Sequence, residues 1–131
     1  MKSRAINSTP WMEHFGLNHA IEVTGGERVL YVSGQASTDA EGVSLHDGDL
    51  VAQFAQAWSN LKAVLVQADM GPRNIVRMNI YTTDVAMFME HAESLIPLWS
   101  DDGAKPACTL LEVAGLFDPA LMVEIEATAV A

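Results

Sequence analysis

Residues 105–129, KPACTLLEVAGLFDPALMVEIEATA, constrain the fold most strongly, because they predict two β-strands joined by a short loop. Over positions 123–128 the order V-E-I-E-A-T alternates apolar and polar residues, which is the period of a strand with one face on a core. The polar face of this strand therefore carries Glu124 and Glu126. Glutamate is depleted in β-strands, so these two carboxylates are the first candidates for chemistry.

The length of 131 residues predicts a single domain over residues 1–131, large enough for a hydrophobic core. Half of the residues are hydrophobic, but no apolar run reaches the roughly 18 residues of a membrane-spanning helix, so we expect no membrane partner. The first residues contain no apolar segment of the secretory type. The single cysteine, Cys108, excludes an intrachain disulfide, and these features together favour a reducing, cytoplasmic location.

The charge balance restricts the partners of the chain, which carries 17 acidic and 7 basic residues and a net charge of −10. Such a surface repels phosphate backbones and disfavours nucleic acid as a partner. It also disfavours small anions unless a fixed cation binds them. The histidines lack the spacing of zinc ligands, and we expect no metal; they are His14, His19, His46 and His91.

The N-terminal part predicts an arm followed by a hairpin. Residues 1–17 are mixed in polarity and contain proline and glycine, so they predict an irregular arm. HAIEV at 19–23 and RVLYV at 28–32 have the composition of strands. The glycine-rich turn at 24–27 predicts that the two strands pair with each other.

The remaining elements follow from hydrophobic spacing. Residues 36–48 are polar and predict a loop, whereas apolar residues at three- and four-residue spacing predict a helix over 49–69. A strand is predicted over 74–82 and a second helix over 85–99, in which Pro97 should kink or shorten the last turn. This order indicates an α+β fold with a mixed or antiparallel sheet and two helices on one face. The strands are too apolar to leave the other face in water, so we expect it to be covered by self-association.

Five segments in a fixed order carry a family resemblance. They are VLYVSGQ at 29–35, QFAQAWSNLKAVLVQADM at 53–70, IVRMNIYTTD at 75–84, KPACTLLEVAGL at 105–116 and VEIEATAV at 123–130. In this order they resemble the Rid (reactive intermediate deaminase) or YjgF family, and PWMEHFGLNHAIEV at 10–23 resembles one branch of it. The resemblance implies a chorismate-mutase-like α+β fold and a homotrimer with clefts between subunits.

The resemblance also implies an activity. Members with the archetypal site hydrolyse enamines and imines made from amino acids, releasing ammonia and a keto acid, without a metal or organic cofactor. An arginine in their P-A-R-[ST] motif binds the substrate carboxylate through a bidentate pair, and a glutamate in V-E-I-E handles the water. By resemblance Glu124 is that glutamate, Gly34 with Ser33 lines the pocket, and Thr109 is the small hydroxyl residue after the arginine.

The arginine itself is absent, because Cys108 occupies its position. Three further family positions have become more apolar: Leu110 replaces a frequent cysteine, Ala92 an asparagine, and Leu17 an aromatic residue of the arm. A carboxylate in this cleft would lack its charged partner, and an unpaired buried charge is unfavourable. We therefore predict a small-molecule substrate without an essential carboxylate, which is neutral, apolar or cationic, or leaves its anion in solvent.

Each candidate residue has a structural alternative. Glu124 is either the acid/base or a hydrogen-bonding link between subunits, and Glu126 is a second, displaced candidate on the same face. Cys108 is a nucleophile, a pocket wall or a core residue. Thr109 binds the ligand or satisfies a backbone group, and Arg77 is the best candidate for a replacement cation.

Two functions are compatible with these residues. The first is a cofactor-independent hydrolase or deaminase that acts on an imine, enamine or related C–N bond, with Glu124 as the acid/base. The second is a non-catalytic trimer that binds a small apolar metabolite as a sensor or carrier. A ribonuclease or translation-inhibitor role, sometimes attached to this family, is disfavoured by the charge and by the lack of an aromatic–basic stripe.

Overall fold

The computed structural model describes residues 1–131 and contains six β-strands and three α-helices. In chain order they are β1 (Lys2–Ile6), β2 (Ala20–Thr24), β3 (Val29–Ala36), α1 (Leu50–Gln67), β4 (Ile75–Thr82), α2 (Val85–Glu90), α3 (Ala92–Ser100), β5 (Ala107–Glu112) and β6 (Val123–Val130). Strands β3, β6, β4 and β5 form a four-stranded sheet in that order. Only β4 and β5 are parallel within it, so the predicted α+β class with a mixed sheet is confirmed.

Helix α1 covers one face of this sheet, which we call the inner face, and the opposite side is called the outer face. Asp49 caps the helix by accepting a hydrogen bond from Ala52 N at 3.0 Å. The predicted apolar spacing buries Phe54, Trp58 and Leu61, which join a core cluster of 19 buried residues. The core therefore lies between the helices and the inner face, and the outer face is free of helices.

The predicted second helix differs from the structure, because it consists of α2 and α3 with a break at His91. The His91 backbone leaves the helical region, with φ −100° and ψ 13°. Pro97 lies inside α3 without ending it, although its missing amide removes one helical hydrogen bond. The buried side chains of Leu95 and Trp99 flank the proline, so tertiary packing outweighs its local effect.

The predicted hairpin of β2 and β3 is wrong. Strand β2 pairs with β1 in a separate two-stranded antiparallel sheet, whereas β3 pairs with β6. The chain after the glycine turn is held instead by the C-terminus, because the amides of Glu27 and Arg28 both donate to Ala131 O at 3.0 Å. A glycine turn permits a hairpin but does not select the partner, and the long-range pairing with β6 prevails.

Residues 1–17, predicted as an irregular arm, are more regular in the structure. Residues 2–6 form β1, and a 3-10 helix spans Trp11–Phe15. All five residues of β1 are exposed, so no alternation of buried and exposed positions marks the strand in the sequence. No helix of the chain combines the length and the apolar character that crossing a membrane requires.

Candidate active site

The outer face of the sheet collects polar side chains from three adjacent strands. The strand register places Tyr81 beside Glu124 and Asn79 beside Glu126. Thr109 of β5 lies on the other side of Asn79. Because alternate residues of a strand share a face, these five side chains lie on the side of the sheet away from the helices.

Glu126 is held by two donors. Asn79 Nδ2 donates to Glu126 Oε1 at 3.0 Å, and the Tyr81 hydroxyl donates to the same oxygen. These hydrogen bonds lower the pKa of Glu126, against an opposing contribution from burial. Glu126 therefore remains ionised at neutral pH and provides a fixed negative charge.

Glu124 lies on the same face but has the opposite electrostatic environment. No hydrogen bond stabilises its carboxylate, and burial raises the pKa of Glu124, with the negative charge of Glu126 as a second cause. A carboxyl group without protein donors is free to exchange a proton with a ligand or with water. The sheet therefore carries two glutamates whose pKa values are shifted in opposite directions, the arrangement by which paired carboxylates take different roles in acid–base chemistry.

Gly34 determines where the Glu124 carboxylate can lie. The pairing of β3 with β6 is irregular between Val32 and Gln35, so that Ser33 and Gly34 form a bulge. A Cβ atom at Gly34 would collide with the Glu124 carboxylate. A glycine is required at this position because the Glu124 side chain lies directly against the backbone.

Replacing Tyr81 by phenylalanine is expected to raise the pKa of Glu126 towards 4.5, because the largest stabilising hydrogen bond of its carboxylate is lost. A depressed folded-state pKa stabilises the fold above the unfolded-state pKa, and this contribution disappears as the pH falls through the folded-state value. Carboxyl carbon NMR titration would measure the change. Tyr31→Phe is the matched control, since Tyr31 is on the same face and 81% exposed; an equal shift in both variants would contradict the assignment.

A cavity of about 190 Å³ lies on the inner side, and all twelve residues that line it are hydrophobic. Strands β4 and β5 contribute Ile80, Cys108 and Leu110 to this apolar cavity. Ala92 lines it from α3, and Leu17 follows the 3-10 helix that closes another side. Three positions predicted for substrate binding, Cys108, Ala92 and Leu17, are thus neighbours.

The Cys108 thiol is partly buried and packs against the apolar core. Burial raises the pKa of Cys108 from 9.0 to about 12, and the charge of Arg77 only partly opposes the shift. The thiolate is the nucleophilic form of cysteine, so the group is an unreactive neutral thiol at neutral pH. This favours the pocket-wall interpretation over the nucleophile.

The reactivity of this single thiol provides a test. A pKa three units higher lowers the thiolate fraction at neutral pH, so we expect a disulfide reagent to modify native Cys108 about 10³-fold more slowly than the unfolded chain. Absorbance of the released thiol chromophore, with and without denaturant, gives both rates. Rates within about tenfold of each other would contradict a buried, neutral Cys108.

The predicted site residues thus separate into two groups on opposite faces of one sheet. Glu124, Gly34, Ser33 and Thr109 belong to the outer face, whereas the cavity residues belong to the inner side. Arg77 donates to Thr109 Oγ1 at 2.6 Å, so it lies on the outer face and supplies no cation to the cavity.

Sequence reasoning missed Tyr81 and Asn79 as partners of Glu126. The alternation N-I-Y in β4 puts both residues on one face, but only the register with β6 reveals that this face meets Glu126. No group of three or more His, Cys, Asp or Glu side chains is placed to hold a metal ion.

The chain is similar to known proteins over most of its length. Residues 15–131 match the protein family described as Endoribonuclease L-PSP. The chain is 32% identical over 131 residues to Protein DfrA of Myxococcus xanthus, covering 99% of this chain and 97% of the relative. It is 34% identical over 90 residues to a RutC family protein of Aquifex aeolicus, covering 69% of each chain.

The fold has a near match among solved structures. YyfB of Yersinia pestis, described as a protein of unknown function of the conserved Rid protein family, superposes with a TM-score of 0.84. The two chains are 31% identical, and the match covers 100% of both. RidA of an Antarctic Psychrobacter superposes with a TM-score of 0.66 at 27% identity, covering 87% of each chain.

Proposed function

The chain belongs to the Rid/YjgF (RutC) family, and from this premise we propose that it is a cofactor-independent hydrolase of the deaminase type. Its substrate is an imine, an enamine or a related C–N compound of a small metabolite that lacks an essential carboxylate. Glu124 is the acid/base. The observation that carries the proposal is the Glu124 carboxylate, which has no protein hydrogen-bond donor and a raised pKa, next to a Glu126 that is held ionised.

The proposed reaction requires one group that alternates between acid and base. Protonated Glu124 gives its proton to the imine nitrogen, and the resulting carboxylate accepts a proton from the water that attacks the imine carbon. The tetrahedral carbinolamine then receives this proton on nitrogen and releases ammonia. Its hydroxyl proton passes to the Glu124 carboxylate at the same time, which leaves a neutral carbonyl product and Glu124 protonated again. A raised pKa suits the first step, because it favours the protonated carboxyl group that gives its proton to the imine nitrogen.

The cavity supports the prediction about the substrate. The family arginine is replaced by Cys108, and no charged side chain lines the cavity. A carboxylate bound there would be desolvated without a partner. A neutral substrate avoids that penalty, which is why we propose neutral imines rather than imino acids.

A trimer would bring the two groups of residues together. The outer face exposes Val29, Tyr31 and Leu111 beside its polar centre, and these side chains are suited to burial against a second copy. Glu124 of one subunit and the cavity of another would then line one of the clefts between subunits that the resemblance implies. The endoribonuclease in the family description is not part of the proposal, because the net charge of −10 opposes RNA binding.

An oxidase-coupled assay tests the proposal. An amine or amino-acid oxidase generates a panel of imines with and without a carboxylate, and ammonia release is followed with the wild type and with Glu124→Gln. We expect the wild type, but not Glu124→Gln, to accelerate the hydrolysis of the carboxylate-free imines. If the wild type accelerates the hydrolysis of no imine, the hydrolase proposal is refuted, and the hypothesis of a non-catalytic binding protein remains.

The variant Cys108→Arg is expected to change the choice of substrate, because it restores the family cation at this position. The ratio of kcat/KM for imino acids to that for neutral imines should rise relative to wild type. Cys108→Leu is the matched apolar control, and thermal unfolding verifies that each variant is folded. An unchanged ratio in folded Cys108→Arg would show that the missing arginine does not set specificity.

A further inference from the structure

The apolar cavity has a chemical character more specific than hydrophobicity. It is formed by β4 and β5, by α2 and α3, and by the segment around the 3-10 helix Trp11–Phe15. Aromatic rings and thioethers dominate its walls: Trp11, Phe15, Phe88, Trp99, Met12 and Met89. Aromatic pairs favour edge-to-face contacts and thioethers favour contacts with ring edges, so the walls are suited to a flat aromatic guest.

The cavity offers no charged side chain to a charged guest. Two indole N–H groups belong to the residues that line it. Trp99 Nε1 already donates to Gly16 O at 3.1 Å, and the other group belongs to the exposed side chain of Trp11. The Cys108 thiol is neutral. The charge of Arg77 lowers the pKa of Cys108 slightly, but the Arg77 side chain hydrogen-bonds to Thr109 on the outer face. A carboxylate would therefore lose its hydration without a charged partner, and an ammonium group would gain only contacts with ring faces, which do not replace its hydration.

The cavity is large enough for one aromatic ring. An apolar cavity of about 150 Å³ accommodates benzene and stays dry when empty, and this cavity measures about 190 Å³. Trp11 and Phe15 stand edge to face at 5.4 Å between ring centroids, and Trp11 is 62% exposed. Trp11 therefore marks the side of the cavity that faces solvent.

The wall formed by the 3-10 helix is anchored to the body at its C-terminal end. The backbone amide of Asn18 donates to Pro106 O at 3.0 Å, and Asn18 Nδ2 donates to Lys105 O at 2.6 Å. Lys105 Nζ also pairs with Glu13 Oε1 at 3.1 Å. These contacts tie the wall to the start of β5, so the cavity is a built feature of the fold rather than a gap under a loose segment.

We propose that the apolar cavity binds a single uncharged aromatic ring, and that this ring is part of the substrate. The second half of this inference rests on the proposed function, whereas the binding of a ring does not. The substrate class is then an aryl or arylalkyl imine, whose ring occupies the cavity while its C=N group points towards the cleft.

Calorimetric titration tests ring binding directly, using toluene, methylcyclohexane, benzoate and benzylammonium as probes. We expect saturable binding of toluene to the wild type and to Glu124→Gln. The two ions should bind at least about tenfold more weakly than toluene, and methylcyclohexane about 2- to 10-fold more weakly. Absence of saturable toluene binding, or equal binding of all four probes, would overturn the proposal without any variant being needed.

A variant whose cavity is filled by a larger side chain provides the second arm of the binding test. Ala92→Leu adds bulk to the cavity wall and should weaken toluene binding by about tenfold or more, whereas Ala63→Leu on an exposed position of α1 should leave it unchanged. Equal binding by both variants would show that toluene binds elsewhere. A cavity occupied by a side chain of a neighbouring subunit would abolish binding in the wild type and equally overturn the inference.

Turnover separates this inference from the proposed function. If imines are hydrolysed, benzaldimine should be preferred over the imine of butylamine by about tenfold in kcat/KM, and equal rates would exclude the cavity as the substrate site. If no imine is hydrolysed but toluene binds as described, the hydrolase fails and the ring-binding site stands.

Discussion

Replacing Glu124 by glutamine is expected to lower kcat/KM for carboxylate-free imines by about 10²–10⁴-fold, the usual contribution of a positioned acid/base. The amide keeps the size of the side chain and its fit against Gly34, but it neither donates a proton to nitrogen nor accepts one from water. Ammonia release in the oxidase-coupled assay measures the loss. Thermal unfolding should change little, because no protein hydrogen bond to the Glu124 carboxylate is lost.

Glu126→Gln is the matched control for this loss, since it makes the same chemical change two residues along the same strand face. The negative charge of Glu126 raises the pKa of Glu124. Removing this charge should therefore lower the pKa of Glu124 and shift the alkaline limb of the pH–rate profile to lower pH. Activity at the optimum should be retained to a greater extent than in Glu124→Gln. Equal losses in both variants would contradict the division of roles between the two glutamates.

The second large effect concerns stability. Phe54→Ala is expected to lower the free energy of unfolding by about 3–5 kcal/mol, the range for removal of a buried aromatic side chain. Phe54 is fully buried, and its ring lies 6.1 Å from that of Phe88 and 5.6 Å from that of Trp99. Both neighbours line the apolar cavity, so the loss of Phe54 should also weaken toluene binding.

Chemical denaturation with a matched surface variant measures this effect. Phe117→Ala removes the same side chain from a position that is 69% exposed, and its free energy of unfolding should stay within about 0.5 kcal/mol of wild type. A small loss in Phe54→Ala, comparable to that of Phe117→Ala, would show that the inner layer repacks around the missing ring.

The strands and helices with a buried face could be predicted, because burial leaves a period in the sequence. Alternation in β6 and three- to four-residue spacing in α1 identified both elements. The pairing of β2 could not be predicted in the same way, because β1 is exposed along its whole length and leaves no such period. Strand order is a long-range property, and local turn residues such as Gly25 indicate only that the chain can reverse.

In the candidate site, too, local sequence patterns identified single residues but not their long-range partners. Glu124 was identifiable because a carboxylate interrupts an apolar strand, and Cys108 because it replaces an arginine of the family motif. The sequence could not place them on opposite sides of the sheet, since that depends on the registers of β5 with β4 and of β4 with β6. The hydrogen bonds from Tyr81 and Asn79 to Glu126 likewise join strands that are distant along the chain.

Because Glu124 and Cys108 lie on opposite faces of the sheet, their positions determine how many chains one active site requires. A small molecule cannot reach both faces of the sheet within one chain. Any reaction that uses residues of both faces therefore needs two chains, each of which supplies one face to the site. Mixing Glu124→Gln chains with Ala92→Leu chains would then restore a minority of working sites that neither population has alone. Dilution that dissociates the oligomer would abolish the activity of even the wild-type protein, so specific activity would depend on protein concentration.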